Sequence, residues 1–106
     1  NLDFPKHRFK KFIKDIVTGT IERNDLILDE LNTKLGDDFV FENLDKVFQT
    51  ILKAATYEFM YKPQLSLNII IKEYLNSSNF FLENSQTKYL NALLDNVGKK
   101  LRSKNA

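Results

Sequence analysis

The chain has 106 residues, 42% of them apolar and 28% charged, which suits one small core; with no cysteine it can build no disulfide, thiolate metal site or thiol nucleophile. Sixteen basic and fourteen acidic residues leave a net charge of +2, so any affinity for nucleic acid has to come from local placement and not from a field over the whole surface. No apolar run approaches the roughly 20 residues that span a membrane and no secretory signal is visible, which together with the missing cysteine suits a cytoplasmic protein.

Three glycines and two prolines favour long helices with few breaks, and residues 1–106 read as a single all-α domain. Asp3 is a plausible N-cap with Pro5 in the first turn. A helical stripe then runs through Phe9, Phe12, Ile13, Ile16, Val17, Thr20, Ile21, Leu28, Leu31 and Leu35. Asn24 and Asp25 interrupt it and predict a kink or a slight change of face. Lys10, Lys11 and Lys14 between the apolar positions read as a solvated face. Gly36-Asp37-Asp38 ends this first helix, and Phe39, Val40 and Phe41 form an apolar connection tucked under the bundle.

Asn43 or Asp45 starts the second helix, which turns Leu44, Val47, Phe48, Ile51, Leu52, Ala55, Phe59 and Met60 inward. Its small residues Ala54, Ala55 and Thr56 allow another helix to come close. Pro63 breaks it. Ser66 caps the third helix, which carries Ile70, Ile71, Tyr74, Leu75 and Ser78. The fourth runs from about Gln86 to Leu101, with Leu90, Leu93, Leu94 and Val97 as its apolar face and Asn84 or Ser85 as its cap. Lys99, Lys100 and Arg102 sit near its negative dipole end.

Little in the chain suggests catalysis. His7 is the only histidine and no glycine-rich phosphate loop is present. Asp29-Glu30 and Asp37-Asp38 read as solvated carboxylates with Lys34 nearby. Glu58 and Glu73 lie on apolar helices, where a carboxylate hydrogen-bonds within the bundle and its pKa can be raised. The expectation is a protein that is not an enzyme and takes no cofactor or metal. The start of the fourth helix differs in character: Phe81 and Tyr89 flank a positive helix end that carries Lys88. That combination suits a single-stranded nucleic acid, which offers phosphates and stackable bases. The alternative is that both rings belong to the core.

Lys88-Tyr89-Leu90-Asn91-Ala92-Leu93-Leu94-Asp95 resembles the Lys/Arg-Phe-Val-Asn-Gly/Ala-Val-Leu-Asp signature of the NusB family of bacterial transcription antitermination factors. Ile69-Ile70-Ile71-Lys72-Glu73-Tyr74-Leu75 is similar to that family's Val-Val-Ile-Asn/Asp-Glu-Ala/Tyr-Val segment, at a spacing that needs no gap. Ile51-Leu52-Lys53-Ala54-Ala55-Thr56-Tyr57-Glu58-Phe59 is similar to its Ile-Leu-Arg-x-Ala/Gly-x-Tyr-Glu-Leu helix, and the stripe from Phe9 is similar to a further helix. Where the family often has an acidic residue and an arginine, this chain has Phe48 and Gln49. Asp15 stands where it often has glycine, and Ser77 and Ser78 replace a Leu-Ala pair.

The resemblance implies the C-terminal part of a NusB-like helical bundle of about four helices. It implies a non-catalytic factor that binds boxA RNA of ribosomal-RNA leaders with the ribosomal protein NusE, in the RNA polymerase antitermination complex. Four RNA-facing positions carry over: Phe81 for stacking, Lys88 for the backbone, Tyr89 in the same patch, and Ser85 in place of a residue that is often acidic. The family's arginine-rich N-terminal helix precedes the matched residues, so weak RNA binding by this chain alone is expected. Exposure of Phe9, Phe12, Phe39 or Phe41, and with it self-association into a homo-oligomer, is expected for the same reason. Two rival readings are the RNA-targeting domain appended to ribosomal-RNA cytosine methyltransferases and a protein-interaction bundle with no RNA role.

Overall fold

The computed structural model describes residues 6–36, 39–79 and 82–102, with side chains from Lys14 onward. Asp3, Pro5, Asp37 and Asp38 lie outside the described residues, as do the side chains of His7, Phe9, Lys10, Lys11, Phe12 and Ile13. The described residues form helices α1 (Lys6–Glu22), α2 (Asn24–Leu35), α3 (Lys46–Tyr61), α4 (Leu67–Ser78) and α5 (Asn84–Leu101), with a 3-10 turn at Phe41–Asn43. The architecture is the all-α bundle expected, with one correction. The first expected helix is two helices, α1 and α2, and the kink at Asn24 is a full break one residue earlier.

No glycine or proline makes that break. Arg23 leaves helical geometry at φ −113° and ψ 21°, yet its N–H donates to the Gly19 carbonyl at 3.1 Å and its carbonyl accepts from Ile27 N–H at 2.9 Å. The chain therefore changes direction at Arg23 while both backbone groups of that residue stay hydrogen-bonded. The new direction is held by α3. The Arg23 guanidinium lies 4.7 Å from the Tyr61 ring centroid, a cation–π contact, and Lys53 Nζ donates to Asn24 Oδ1 at 3.0 Å. Lys62 and Asp15 pair at 2.6 Å on the same side.

Helix α3 packs against all the other helices, and its sequence explains why it can. Leu52 and Ala55 are completely buried, and Phe59 and Tyr57 nearly so, on more than one side of the helix. Ile27 and Leu31 of α2, Ile70 and Ile71 of α4, and Leu90, Leu93, Leu94 and Val97 of α5 complete the core. Two glycines set the closest approaches. A Cβ on Gly19 would lie 2.3 Å from Tyr57 Cζ, and one on Gly98 would lie 2.9 Å from Leu67 Cδ2 and 3.1 Å from Phe59 Cζ.

The expected end signals mostly hold. Gly36 follows α2 with φ 86°, a left-handed value that glycine adopts without a Cβ clash. Asp45 caps α3 by accepting from Val47 N–H at 3.2 Å, and Ser66 caps α4 by accepting from Ile69 N–H at 3.2 Å. Phe41 is buried and Phe39 half-buried against the core, so these two rings are not the exposed apolar surface that was expected. Val17, Ile21 and Leu26 are instead exposed, at 50%, 70% and 57%.

Glu58 is 1% exposed, and its Oε2 accepts from the Tyr74 hydroxyl at 2.6 Å. Its Oε1 has no hydrogen-bond partner among the described residues. Burial outweighs the tyrosine bond and raises the Glu58 pKa, with Glu73 adding repulsion. Glu73 itself is exposed. Ser78 is buried but satisfied, its hydroxyl donating to the Leu75 carbonyl at 3.0 Å, so the serine costs the α4 face little.

Two outcomes follow from this packing. Gly19→Ala drives a methyl into the Tyr57 ring; overpacking of about 1–3 kcal/mol exceeds the helix-propensity gain of about 1 kcal/mol. Urea unfolding should show a net loss of roughly 1–2 kcal/mol, and unchanged stability would mean that Tyr57 moves aside freely. For Glu58 the folded pKa lies above the unfolded one, so between the two the native state holds more protons and stability falls as pH rises. As pH rises from the ordinary carboxylate range through the raised folded value, the unfolding midpoint should fall in the wild type and stay flatter in Glu58→Gln, which keeps an acceptor for Tyr74. Parallel profiles would remove Glu58 as the cause.

Candidate nucleic-acid interface at the start of α5

The chain reaches α5 through a short connection after α4. Leu82 N–H donates to the Ser78 carbonyl at 2.9 Å, and the Leu82 side chain packs against the core. Thr87 Oγ1 then contacts Asn79 Oδ1 at 3.4 Å, tying the first turn of α5 to the end of α4. The N-cap is Glu83, not Asn84 or Ser85 as expected from their hydrogen-bonding side chains. Glu83 N–H donates to Gln86 Oε1 at 2.9 Å, and the Glu83 carboxylate reciprocates towards the Gln86 backbone, a capping box.

The cap changes the electrostatics of the site. A carboxylate already sits on the positive end of α5 and uses part of its N–H capacity. A phosphate therefore does not meet an open helix end there. The first turns of α5 also carry a cation, Lys88, which is exposed and has no ion-pair partner among the described residues.

Ser85, Lys88 and Tyr89 are all exposed, and their i, i+3, i+4 spacing puts them on one face of the helix. The opposite face is buried through Leu90, Leu93, Leu94, Val97 and Gly98. Three of the four expected RNA-facing residues thus come together. Phe81, the fourth, lies outside the described residues. Tyr89 is 48% exposed, so its ring is at the surface and not in the core.

A further residue belongs beside this face. Phe48 on the first turn of α3 stacks on Tyr89, with ring centroids 5.6 Å apart and planes 21° from parallel. Phe48 is buried but outside the main core cluster. Its apolar character marked it for the interior, and nothing local to either segment shows that the two rings meet. The neighbouring Gln49 turns back to the connection, where Nε2 donates to the carbonyls of Leu44 at 2.9 Å and Phe41 at 3.2 Å. The two positions at which the resemblance notes a missing charge pair are therefore occupied by a ring stack and a loop clamp.

Among the described residues no group of three or more His, Cys, Asp or Glu side chains could hold a metal ion. No described helix is long and apolar enough to cross a membrane.

The sequence matches the NusB family over residues 4–99. It is similar to the transcription antitermination protein NusB of Sphingopyxis alaskensis, with 31% identity over 93 residues, covering 88% of this chain and 62% of that protein. The proteins of the same name from Novosphingobium aromaticivorans and Mesorhizobium japonicum are 33% and 30% identical, over 86% and 87% of this chain and 62% and 59% of their own lengths. The chain thus spans about three fifths of the length of these relatives. No solved structure matches it.

The capping box makes its own prediction. Glu83→Ala should destabilise the fold by about 1 kcal/mol in denaturant unfolding. The same substitution should strengthen binding of a single-stranded RNA at low salt by removing a negative charge near Lys88. Unchanged or weaker RNA binding would place the RNA path away from the start of α5.

Proposed function

Because the chain belongs to the NusB family, we propose that it acts as a non-catalytic transcription antitermination factor. In this reading it binds single-stranded boxA-type RNA of ribosomal-RNA leaders together with the ribosomal protein NusE. The assembly is the RNA polymerase complex that resists termination. The observation that carries the reading is the continuous likeness, from α1 through most of α5, to proteins named transcription antitermination protein NusB.

The geometry at α5 supports an RNA-facing role for Ser85, Lys88 and Tyr89, and the resemblance adds Phe81 to them. Lys88 offers an exposed cation and Tyr89 an exposed aromatic residue on one side of one helix. Backbone phosphates and unstacked bases need that pair of groups. Ser85 between them and the Glu83 cap carries no charge, so it adds no repulsion. With a net charge of +2, affinity for RNA is a local property of this face, and the protein partner adds to it in the complex.

A second reading, a bundle that binds protein and not RNA, draws on the exposure of Val17, Ile21 and Leu26. Labelled boxA-type RNA titrated with the chain, with and without NusE, separates the two. Binding that NusE strengthens is the expected result, and its absence at low salt would leave the protein-only reading. Lys88→Ala should weaken binding and lower the slope of log affinity against log salt by about 0.7. An unchanged slope would take Lys88 off the phosphate backbone.

A further inference from the structure

We infer that Phe48 is a positioning residue for RNA binding: from α3 it holds the Tyr89 ring in a stack whose outer face receives an unstacked nucleobase. The inference rests on the reading that the start of α5 faces RNA and deepens it by naming what organises that face. An exposed tyrosine on a free helix surface moves among rotamers, and a base that stacks on it has to immobilise the ring first. Here that step is already taken, because Phe48 covers one face of the ring at a centroid distance of 5.6 Å and an angle of 21°.

Three observations converge on this arrangement. Phe48 is 6% exposed and lies outside the cluster that forms the main core, so its burial is local to this end of the bundle. Tyr89 keeps 48% exposure while it stacks on Phe48, so part of the residue stays open to a ligand. Finally, Phe48 sits on the first turn of α3, whose start is fixed by the Asp45 cap and by the bonds of Gln49 to the preceding connection. The stack therefore has a rigid base. Near-parallel offset rings are also the arrangement that a third flat ring extends most readily. The chemistry recognised is the face of a base, without hydrogen bonds to its edge, so the pair contributes affinity with little sequence preference.

A double-mutant cycle on the whole chain tests this with an end-labelled boxA-type RNA at several salt concentrations. Phe48→Leu should weaken binding about two- to tenfold and leave the salt slope unchanged, because no phosphate contact is lost. In the Tyr89→Ala background the same substitution should cost nothing further. Phe48→Tyr, which can still stack, should bind as the wild type does. Helical circular dichroism and thermal unfolding report whether each variant folds, and Phe48→Met replaces Phe48→Leu if the latter does not.

The outcomes separate the inference from the reading beneath it. If Tyr89→Ala weakens binding and Phe48→Leu does not, the positioning role is overturned while the RNA face stands. Additive losses in the double variant also overturn it, since Phe48 would then act by another route. If neither Tyr89→Ala nor Lys88→Ala alters binding, the RNA reading of this face fails and the inference falls with it.

Discussion

The carboxyl end of α3 depends on a side chain from another helix. The guanidinium of Arg102, just past α5, donates to the carbonyls of Phe59 at 3.1 Å, Lys62 at 3.0 Å and Glu58 at 3.4 Å, and also to that of Leu65. Arginine is the one side chain with enough donors in a rigid fork to serve several carbonyls at once. It meets them where the dipole of α3 is negative. One residue thereby closes the last turn of the central helix, secures the turn into α4 and anchors α5. Lys100 adds a second tie by donating to the Lys34 carbonyl at 2.9 Å. With α5 held at that end and drawn close to α3 at Gly98, its opposite end is delivered to Phe48.

The spacing of apolar residues and the chemistry of the caps made most of the bundle legible in the sequence. The Asp45 and Ser66 caps, the glycine after Leu35 and the break at Pro63 are local signals, and each was readable without knowledge of the rest. The division between α1 and α2 was harder to see, because the apolar stripe continues across Arg23 and no glycine or proline marks the spot. What bends the chain there is attraction from α3, through Tyr61 and Lys53, which no local window contains. Arg102 shows the same limit. Its position suggested a charge serving its own helix, whereas its partners are carbonyls on α3 and the following turn.

The candidate site divides along the same line. Ser85, Lys88 and Tyr89 share a face because three- and four-residue spacing ensures it, and this was visible from the sequence. The Glu83 cap was not, since serine and asparagine are the stronger capping residues by propensity and glutamate prevails here through its reciprocal partner Gln86. The stack of Phe48 on Tyr89 joins residues on different helices and is a product of packing alone. The sequence suggests a positive helix end with a nearby lysine; in three dimensions it is a capped end with a lysine and a braced ring on its flank. The difference alters the direction from which a phosphate chain can approach.

The arrangement of the tyrosines has an optical consequence. The chain has four tyrosines and no tryptophan, so its near-ultraviolet absorption and emission come mainly from those rings. Tyr57 is buried, Tyr61 is half-buried beneath Arg23, and Tyr74 is hydrogen-bonded to Glu58. Only Tyr89 among them is exposed. A quencher dissolved in water therefore reaches one emitter far more readily than the other three, and that emitter sits on the face proposed to bind RNA. The molecule thus carries its own dye at the place where occupancy matters, and no label needs to be attached to observe that surface being covered.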